Sequence, residues 1–387
     1  MRLRIVKVMI ALGVAGATAL RGGIAITNLP SFKPFLGIAY SPFRGNESPN
    51  YGTYPTVDDI TQDITNNLVF LASEIATYSM DGTQSNIPSL CNAYNLPCYP
   101  CAFVSSSDPT DNSNEISALI AVGNQNFPTT RGLIVGTESL LNGYDVNALI
   151  SDIKFVRAAT HTNVPVGTRD VATDFISYPA LVAVCDFIQS DIHPYWAEKS
   201  ESDALAYTIQ QWQMLTNQFP GVRVEIGETG WPTGGTNAYW NNGQVVPSVA
   251  NQGKYLSEFV PVANSMGIEY FIFDFRDELW KVQAGNGTIE TNWGLYDAGY
   301  NKKQSLVDFQ QNGFVLRMMS GDAHTANILV PTFAANPYSL LGTTNLLVNP
   351  WVPISTFIGA GGTNQTVISV PDSGSQSNWF YRAAQNF

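Results

Sequence analysis

Residues 221–233 read GVRVEIGETGWPT, and residues 132–139 read GLIVGTES. Each is a short β-branched and aliphatic run that opens on a glycine and delivers a glutamate, Glu228 in one and Glu138 in the other. Such a run, bounded by turn formers, predicts a buried strand with a carboxylate at its C-terminal tip. Working outward, runs of the same kind fall at 35–42, 74–79, 97–104, 164–170, 185–193 and 268–275. The segments between them have helical period. Residues 56–71 carry Ile60, Ile64, Leu68 and Leu71 on one face, 145–159 carry Leu149, Ile153 and Val156, and 202–219 carry Leu205, Ile209, Trp212 and Leu215. Segments 255–262 and 302–309 supply the last two helices. Eight strand–helix repeats over roughly 280 residues predict an α/β fold, a closed (β/α)8 TIM barrel. The alternative, an open doubly wound sheet, carries a Gly-rich phosphate turn after an early strand, and none is present. A barrel gathers the C-terminal ends of its strands at one mouth, so the residues that end each strand are the candidates for chemistry.

The texture changes from about residue 314. Helical period gives way to short alternating runs, NILVPTF, TNLLV, TVISV and NWFYRA, separated by Gly, Pro and Asn. These predict a small C-terminal all-β domain, sandwich-like, over 314–387. It is a candidate carbohydrate-binding, tethering or structural module. At the other end, Arg2, Arg4 and Lys7 precede a short apolar stretch that closes on Ala17-Thr18-Ala19. That is the outline of a secretory signal peptide over 1–19, too short in its apolar run for a bilayer span. The catalytic domain is then expected over 30–312. The protein is expected to be secreted or cell-surface, with no membrane-spanning region once the signal is removed, and monomeric.

The 387 residues carry 31 acids against 19 bases, a net charge of −12, and only 13% of residues are charged. An acidic chain of this kind repels nucleic acid and anionic lipid. A neutral polar ligand such as a sugar suits it better. The four cysteines are Cys91, Cys98, Cys101 and Cys185. Cys98-Tyr-Pro-Cys101 has C-x-x-C spacing but lies in an apolar strand-like run, PCYPCAFVS, and the three histidines show no ligand spacing. Neither metal nor redox chemistry follows; buried thiols or one structural disulfide do. No cofactor and no metal are expected.

Glu138 and Glu228 fall about three βα units apart, so a barrel brings both carboxyls to one mouth. Paired carboxylates are what glycoside hydrolysis needs, one to protonate the leaving oxygen and one to attack the anomeric carbon. Aromatic residues cluster at or just past the same strand ends: Tyr40, Tyr78, Tyr195, Trp196, Trp231 and Trp280. Flat rings of this kind stack on the apolar faces of pyranose rings. The last strand-like run, YFIFDFRDELWK at 270–281, adds Asp274, Asp277, Glu278 and Lys281, and SDIHPYW at 190–196 adds His193.

Taken together, GETGWPT, FDFRDELWK, GIAYSPF, TYSMDGTQ and DIHPYW resemble glycoside hydrolase family 17, the β-1,3-glucanases and related glucan glucosyltransferases, over roughly residues 35–312. The resemblance implies a retaining mechanism without metal. It implies Glu228, in GETGWP, as nucleophile and Glu138, in IVGTE, as acid/base. It also matches Glu278 and Lys281 to the family's polar pair and implies β-glucan, most often β-1,3-linked, as the substrate. With the strand-end aromatics and His193, the candidate substrate-binding residues are Tyr40, Tyr78, Thr137, His193, Tyr195, Trp231, Glu278 and Lys281. A glucan glucosyltransferase on the same site and a catalytically degenerate glucan-binding protein are the alternatives. The chain departs from the family pattern at Thr137, where the family has an Asn that bonds the sugar 2-hydroxyl. On strand 2 the pattern R-x-Y reads Ala76-Thr77-Tyr78, so a basic side chain is missing. Leu279 replaces a Pro, and Asp274 sits where a Glu is common.

Overall fold

The computed structural model describes residues 33–237, 245–282 and 287–312, and strand segments at 317–319, 325–331, 337–343, 352–358, 365–371 and 380–385. The expected signal segment 1–19 lies outside the described residues. Nine strand pieces form one parallel sheet: β1 (Phe35–Ala39), β2 (Ala72–Ala76), β3 (Cys98–Tyr99), β4 (Cys101–Ala102), β5 (Leu133–Thr137), β6 (Val166–Val171), β7 (Phe187–Asp191), β8 (Arg223–Thr229) and β9 (Tyr270–Ile272). Their order is β3-β2-β1-β9-β8-β7-β6-β5-β4. The two end pieces, β3 and β4, are halves of one strand interrupted at Pro100, which has no N–H to continue a ladder. β3 pairs with β2 (Ala76↔Tyr99) and β4 pairs with β5 (Cys101↔Ile134), while the Pro100 carbonyl accepts from Ile134 N at 2.9 Å. The sheet therefore closes through its third strand, and the nine pieces make an eight-stranded barrel.

Between the barrel wall and the helices lies an aliphatic core that includes Leu119, Leu133, Val135, Leu149, Ile153, Val156 and Ile188. Helix Val146–Ala159 buries Leu149, Ile153 and Val156, the stripe that its sequence period predicts. Its N-cap Asp145 accepts from Ala148 N at 2.9 Å, satisfying one of the otherwise orphaned first-turn donors. The expected helix over 56–71 is found in three pieces: an α-helix Val57–Asp63, a wider π-turn Ile64–Leu68 and a last α-turn Val69–Leu71. Ile60, Ile64 and Leu68 are all fully buried along it. A helix that the periodicity did not single out, Pro109–Asn124, has a polar first half and an apolar stripe only at Ile116, Leu119 and Val122. Its start is fixed instead by Asp108, which accepts from Thr110 N and Asp111 N at 3.0 Å each.

The expected last strand, 268–275, is regular over Tyr270–Ile272, with Glu269 and Phe273 each adding one more hydrogen bond to β8 at 2.8 Å. Beyond it the chain pairs with residues that return over the mouth, with Leu295 N on the Asp274 carbonyl (3.0 Å) and Tyr296 N on that of Phe275 (3.1 Å). The barrel belongs to a compact unit of residues 32–259 and 268–307, and the strands from 317 onward belong to a second unit. Those strands form two antiparallel three-stranded sheets, 317–319 with 325–331 and 365–371, and 352–358 with 337–343 and 380–385. The alternating run at 344–348 lies outside the described residues. All four cysteines are free thiols, and three of them are buried, so the disulfide alternative is not realised. Among the described residues no helix is long and apolar enough to cross a membrane.

Candidate active site

Glu138 directly follows β5, and its backbone adopts the left-handed region with φ of 47°, two residues after Gly136 at 81°. A side-chain-bearing residue there costs energy and persists only where its surroundings impose it. Here Glu138 N donates to the Arg169 carbonyl (3.0 Å), and its own carbonyl accepts from Asn142 N (3.0 Å) and Asn142 Nδ2 (2.8 Å). Glu228 lies inside β8 and is buried. His193 Nε2 stands 3.2 Å from Glu228 Oε2, and Arg169 Nη1 stands 3.7 Å from Glu228 Oε1. The Tyr78 hydroxyl approaches the same carboxylate without closing an aligned hydrogen bond. Phe273 and Trp293 hold the His193 ring edge-on, at 5.3 and 5.1 Å.

The two carboxyls are driven apart electrostatically. Burial, and then the charge of Glu228, push Glu138 up to about 7, against the opposing fields of His193 and Lys281. Burial works against ionised Glu228 too. There the hydrogen bond and charge of His193, the Arg169 guanidinium and the Tyr78 hydroxyl outweigh it and hold the carboxyl below the usual range. One group is a proton donor near neutrality and the other an anion, the division of labour that acid–nucleophile pairs need.

Beside them, Lys281 Nζ lies 2.6 Å from Glu278 Oε2 and 3.6 Å from Asp274 Oδ2. Glu278 also accepts from Ser41 Oγ and from Trp280 Nε1 (2.9 Å). Desolvation of Lys281 is outweighed by Glu278 and Asp274, so it stays an ammonium. Its charge faces the Phe273 ring at 4.5 Å.

The expected sugar-contacting residues divide in two. Glu138, Glu228, His193, Tyr78 and Lys281 act on one another electrostatically, with Glu278 bound to Lys281 and Thr137 at the tip of β5 beside Glu138. Tyr40, Tyr195 and Trp231 do not present a ring to the mouth. Tyr40 is fully buried and donates to Asp63 Oδ2 at 2.9 Å. Trp231 is fully buried, with Nε1 on the Val246 carbonyl at 3.0 Å. Tyr195 is 1% exposed, packed edge-on to Trp231 and Trp293. A position just past a strand end fixes the level of a residue but not the direction its ring turns. Of the six strand-end aromatics, Tyr78 and the indoles of Trp196 and Trp280 are the half-buried ones that keep exposed surface.

Three residues that sequence reasoning missed belong to the site. Arg169 is a fully buried cation inside β6. Asp191 ends β7 with both carboxylate oxygens buried and without a hydrogen-bond donor, Oδ1 lying 4.0 Å from Arg169 Nε, and burial, followed by the Glu228 charge, pushes it well up. Glu290, on the turn Ile289–Asn292, is raised by burial and feels Lys281, His193 and Glu228. An arginine within a strand-like run, VGTRDV, was a readable signal, since buried arginines need partners. Among the described residues no cluster of His, Cys, Asp and Glu suits a metal ion.

The sequence profile of the BtgE/BtgC glycoside hydrolase domain matches residues 37–294. An Aspergillus niger protein named by inference as glucan endo-1,3-beta-glucosidase btgC is 30% identical over 303 residues, which are 71% of this chain and 43% of that protein. The chain thus spans less than half the length of that relative. A Candida albicans glucan 1,3-beta-glucosidase is 31% identical over 42% of this chain and 54% of its own length. Among solved structures, a glycoside hydrolase family 17 beta-1,3-glucanosyltransferase from Rhizomucor miehei superposes with a TM-score of 0.60 at 27% identity, covering 70% of this chain and 96% of that one. An active-site mutant of that enzyme was solved with laminaritriose.

Proposed function

Because this chain belongs to the BtgE/BtgC glycoside hydrolase family, we propose that it is a retaining glycoside hydrolase acting on β-1,3-linked glucan, with Glu138 as acid/base and Glu228 as nucleophile. What carries this reading is the geometry around two carboxyls that feel one another: Glu228 is buried in β8 with His193 Nε2 3.2 Å from one oxygen and Arg169 Nη1 3.7 Å from the other, which favours its anion, while burial and that negative charge push Glu138 up to about 7. The Glu138 carboxyl donates its proton to the glycosidic oxygen as the C1–O bond breaks, and a Glu228 oxygen bonds to C1. Glu138, now a carboxylate, takes a proton from water as the water oxygen attacks C1 and the Glu228 ester bond breaks, with net retention. Thr137, Tyr78, His193, Glu278 and Lys281 would bind sugar hydroxyls or orient Glu228, with Trp196 and Trp280 as stacking surfaces. The likeness to the Rhizomucor miehei glucanosyltransferase favours a second reading, in which another glucan replaces water as acceptor. We also propose a secreted or cell-surface protein in which the C-terminal β-strands form an accessory module.

The test incubates the full chain with laminarioligosaccharides and separates products by size. Shorter products from the wild type support the hydrolase, and products longer than the starting oligomers support the transferase. Glu138→Gln and Glu228→Gln are expected to lower turnover by about a thousandfold or more. Ordinary turnover in Glu228→Gln would overturn the assignment. Binding without turnover, equal in all three proteins, would identify a degenerate glucan binder.

A further inference from the structure

Among the departures from the family 17 pattern, the one that removes a charge is on strand 2, where the basic residue is here the buried Ala76 at the end of β2. We propose that Arg169, reaching across the barrel from β6, is the positioning residue that supplies the missing guanidinium to Glu228, and that Gln189 and Glu225 lock it in place. The inference rests on the glycosidase reading of Glu228.

The guanidinium lies against the residues that immediately follow Ala76. Arg169 Nη1 is 3.5 Å from the Thr77 carbonyl, and its carbon sits 5.3 Å from the centre of the Tyr78 ring. The same Nη1 is 3.7 Å from Glu228 Oε1, while His193 holds Oε2 at 3.2 Å. Each oxygen of the carboxylate thus has its own cation or donor, from a different strand. A small residue at 76 and a long one at 169 are complementary choices: residues two apart along a strand share a face, so an arginine at 76 would extend on the side of Tyr78, whose ring Arg169 already faces.

A fully buried guanidinium is costly unless its donors are satisfied in fixed geometry. The barrel interior is built to do this. Gln189 Oε1 accepts from Arg169 Nε (3.0 Å) and Nη2 (2.8 Å). The Gln189 amide is turned the right way because its Nε2 donates to Glu225 Oε2 at 2.8 Å. Glu225 is in turn held by Tyr99 Oη (3.2 Å) and Arg223 Nε (2.8 Å). Gly227 leaves the passage open, since a Cβ there would stand 2.9 Å from Gln189 Cβ, 3.1 Å from Arg169 Cγ and 2.6 Å from Asp191 Oδ1. The groups that face Glu228 are Tyr78 after β2, Cys101 on β4, Glu138 after β5, Arg169 on β6, Asp191 and His193 at the end of β7, and Glu290 on its turn. Of these, Arg169 is the permanent cation.

The experiment uses the full chain with carboxyl-13C-labelled glutamate, the Glu228 resonance being assigned by its loss in Glu228→Gln. In Arg169→Met, with the fold checked by circular dichroism, Glu228 is expected to titrate about one unit higher than in the wild type. The acidic limb of kcat/KM should move with it, and kcat/KM at its optimum should fall about tenfold or more. In Ala76→Arg/Arg169→Val both the titration and the limb should return toward the wild type, a rescue that a merely space-filling role for Arg169 does not give. A Glu228 titration unmoved in folded Arg169→Met overturns the inference. If that variant does not fold, the double variant decides: a folded double variant with Glu228 at its wild-type position supports relocation, and one with Glu228 shifted upward, or no folded protein, overturns it. The titration needs no substrate, so absence of products from the wild type, which sinks the glucanase reading, is a separate result.

Discussion

At the residue scale, activity requires Glu138 with its proton on and Glu228 with its proton off. Glu138 is raised to about 7, so kcat/KM is expected to fall as pH climbs through about 7. Glu228 is lowered, so the acidic limb should lie below the ordinary glutamate range. Glu290 sharpens the test, because its charge is among those that raise Glu138. Glu290→Gln should therefore move the basic limb to lower pH by about half a unit, read from kcat/KM profiles of the two proteins. A limb that stays put, or moves up, counts against Glu290 as an electrostatic neighbour of the acid. Glu138 and Glu228 were legible in the sequence because strand-end acids in GLIVGTES and VEIGETGW have no aliphatic role to play. Glu290 was not, because an acid within GTIETNW looks like any acid in a polar loop until the loop's return over the mouth is known.

At the element scale, the strands were legible wherever an apolar run had turn formers on both sides, and their ends shifted by a few residues where tertiary pairing took over, as beyond Ile272. What the pattern could not convey is how the mouth is tied together. Asp63, the last residue of helix Val57–Asp63, is fully buried. It accepts from Arg276 Nη2 (2.9 Å) and Nη1 (3.3 Å) and from Tyr40 Oη (2.9 Å), and pairs with Arg44 Nη2 at 3.0 Å. That one carboxylate joins the helix after β1 to the segments following β1 and β9. It also explains why Tyr40, expected at the sugar, turns away from it. Asp63→Ala leaves Arg276 buried without its counter-charge, which typically costs about 3–5 kcal/mol. Urea denaturation followed by tryptophan fluorescence should show that loss. A change below about 1 kcal/mol would mean that water or relaxation replaces the carboxylate.

At the scale of the whole molecule, the low charge content reads in sequence as a polar, weakly charged surface, yet part of that small charge is buried. Burial is the leading cause that raises Glu74, Glu115 and Asp170 to about 7 and Glu225 to about 8, alongside Glu138. Each of these carboxyls binds its proton more tightly folded than unfolded. Between roughly pH 4.5 and 8 the native state therefore holds more protons than the unfolded chain, and stability must fall as pH rises through that window. Growing self-repulsion of a chain already at −12 acts in the same direction. The unfolding midpoint at pH 8.5 is accordingly expected to lie at least about 5 °C below that at pH 5. Glu225→Gln keeps an acceptor for Gln189 and removes one of these ionisations, so its midpoint should depend less steeply on pH above 7. Differential scanning calorimetry across pH 5–8.5 measures both slopes. A wild-type midpoint that rises toward pH 8.5 would mean that the buried carboxylates ionise with compensation, as from Arg131 beside Glu74 and Arg223 beside Glu225, and that the buried acids form closed ion pairs rather than a store of protons.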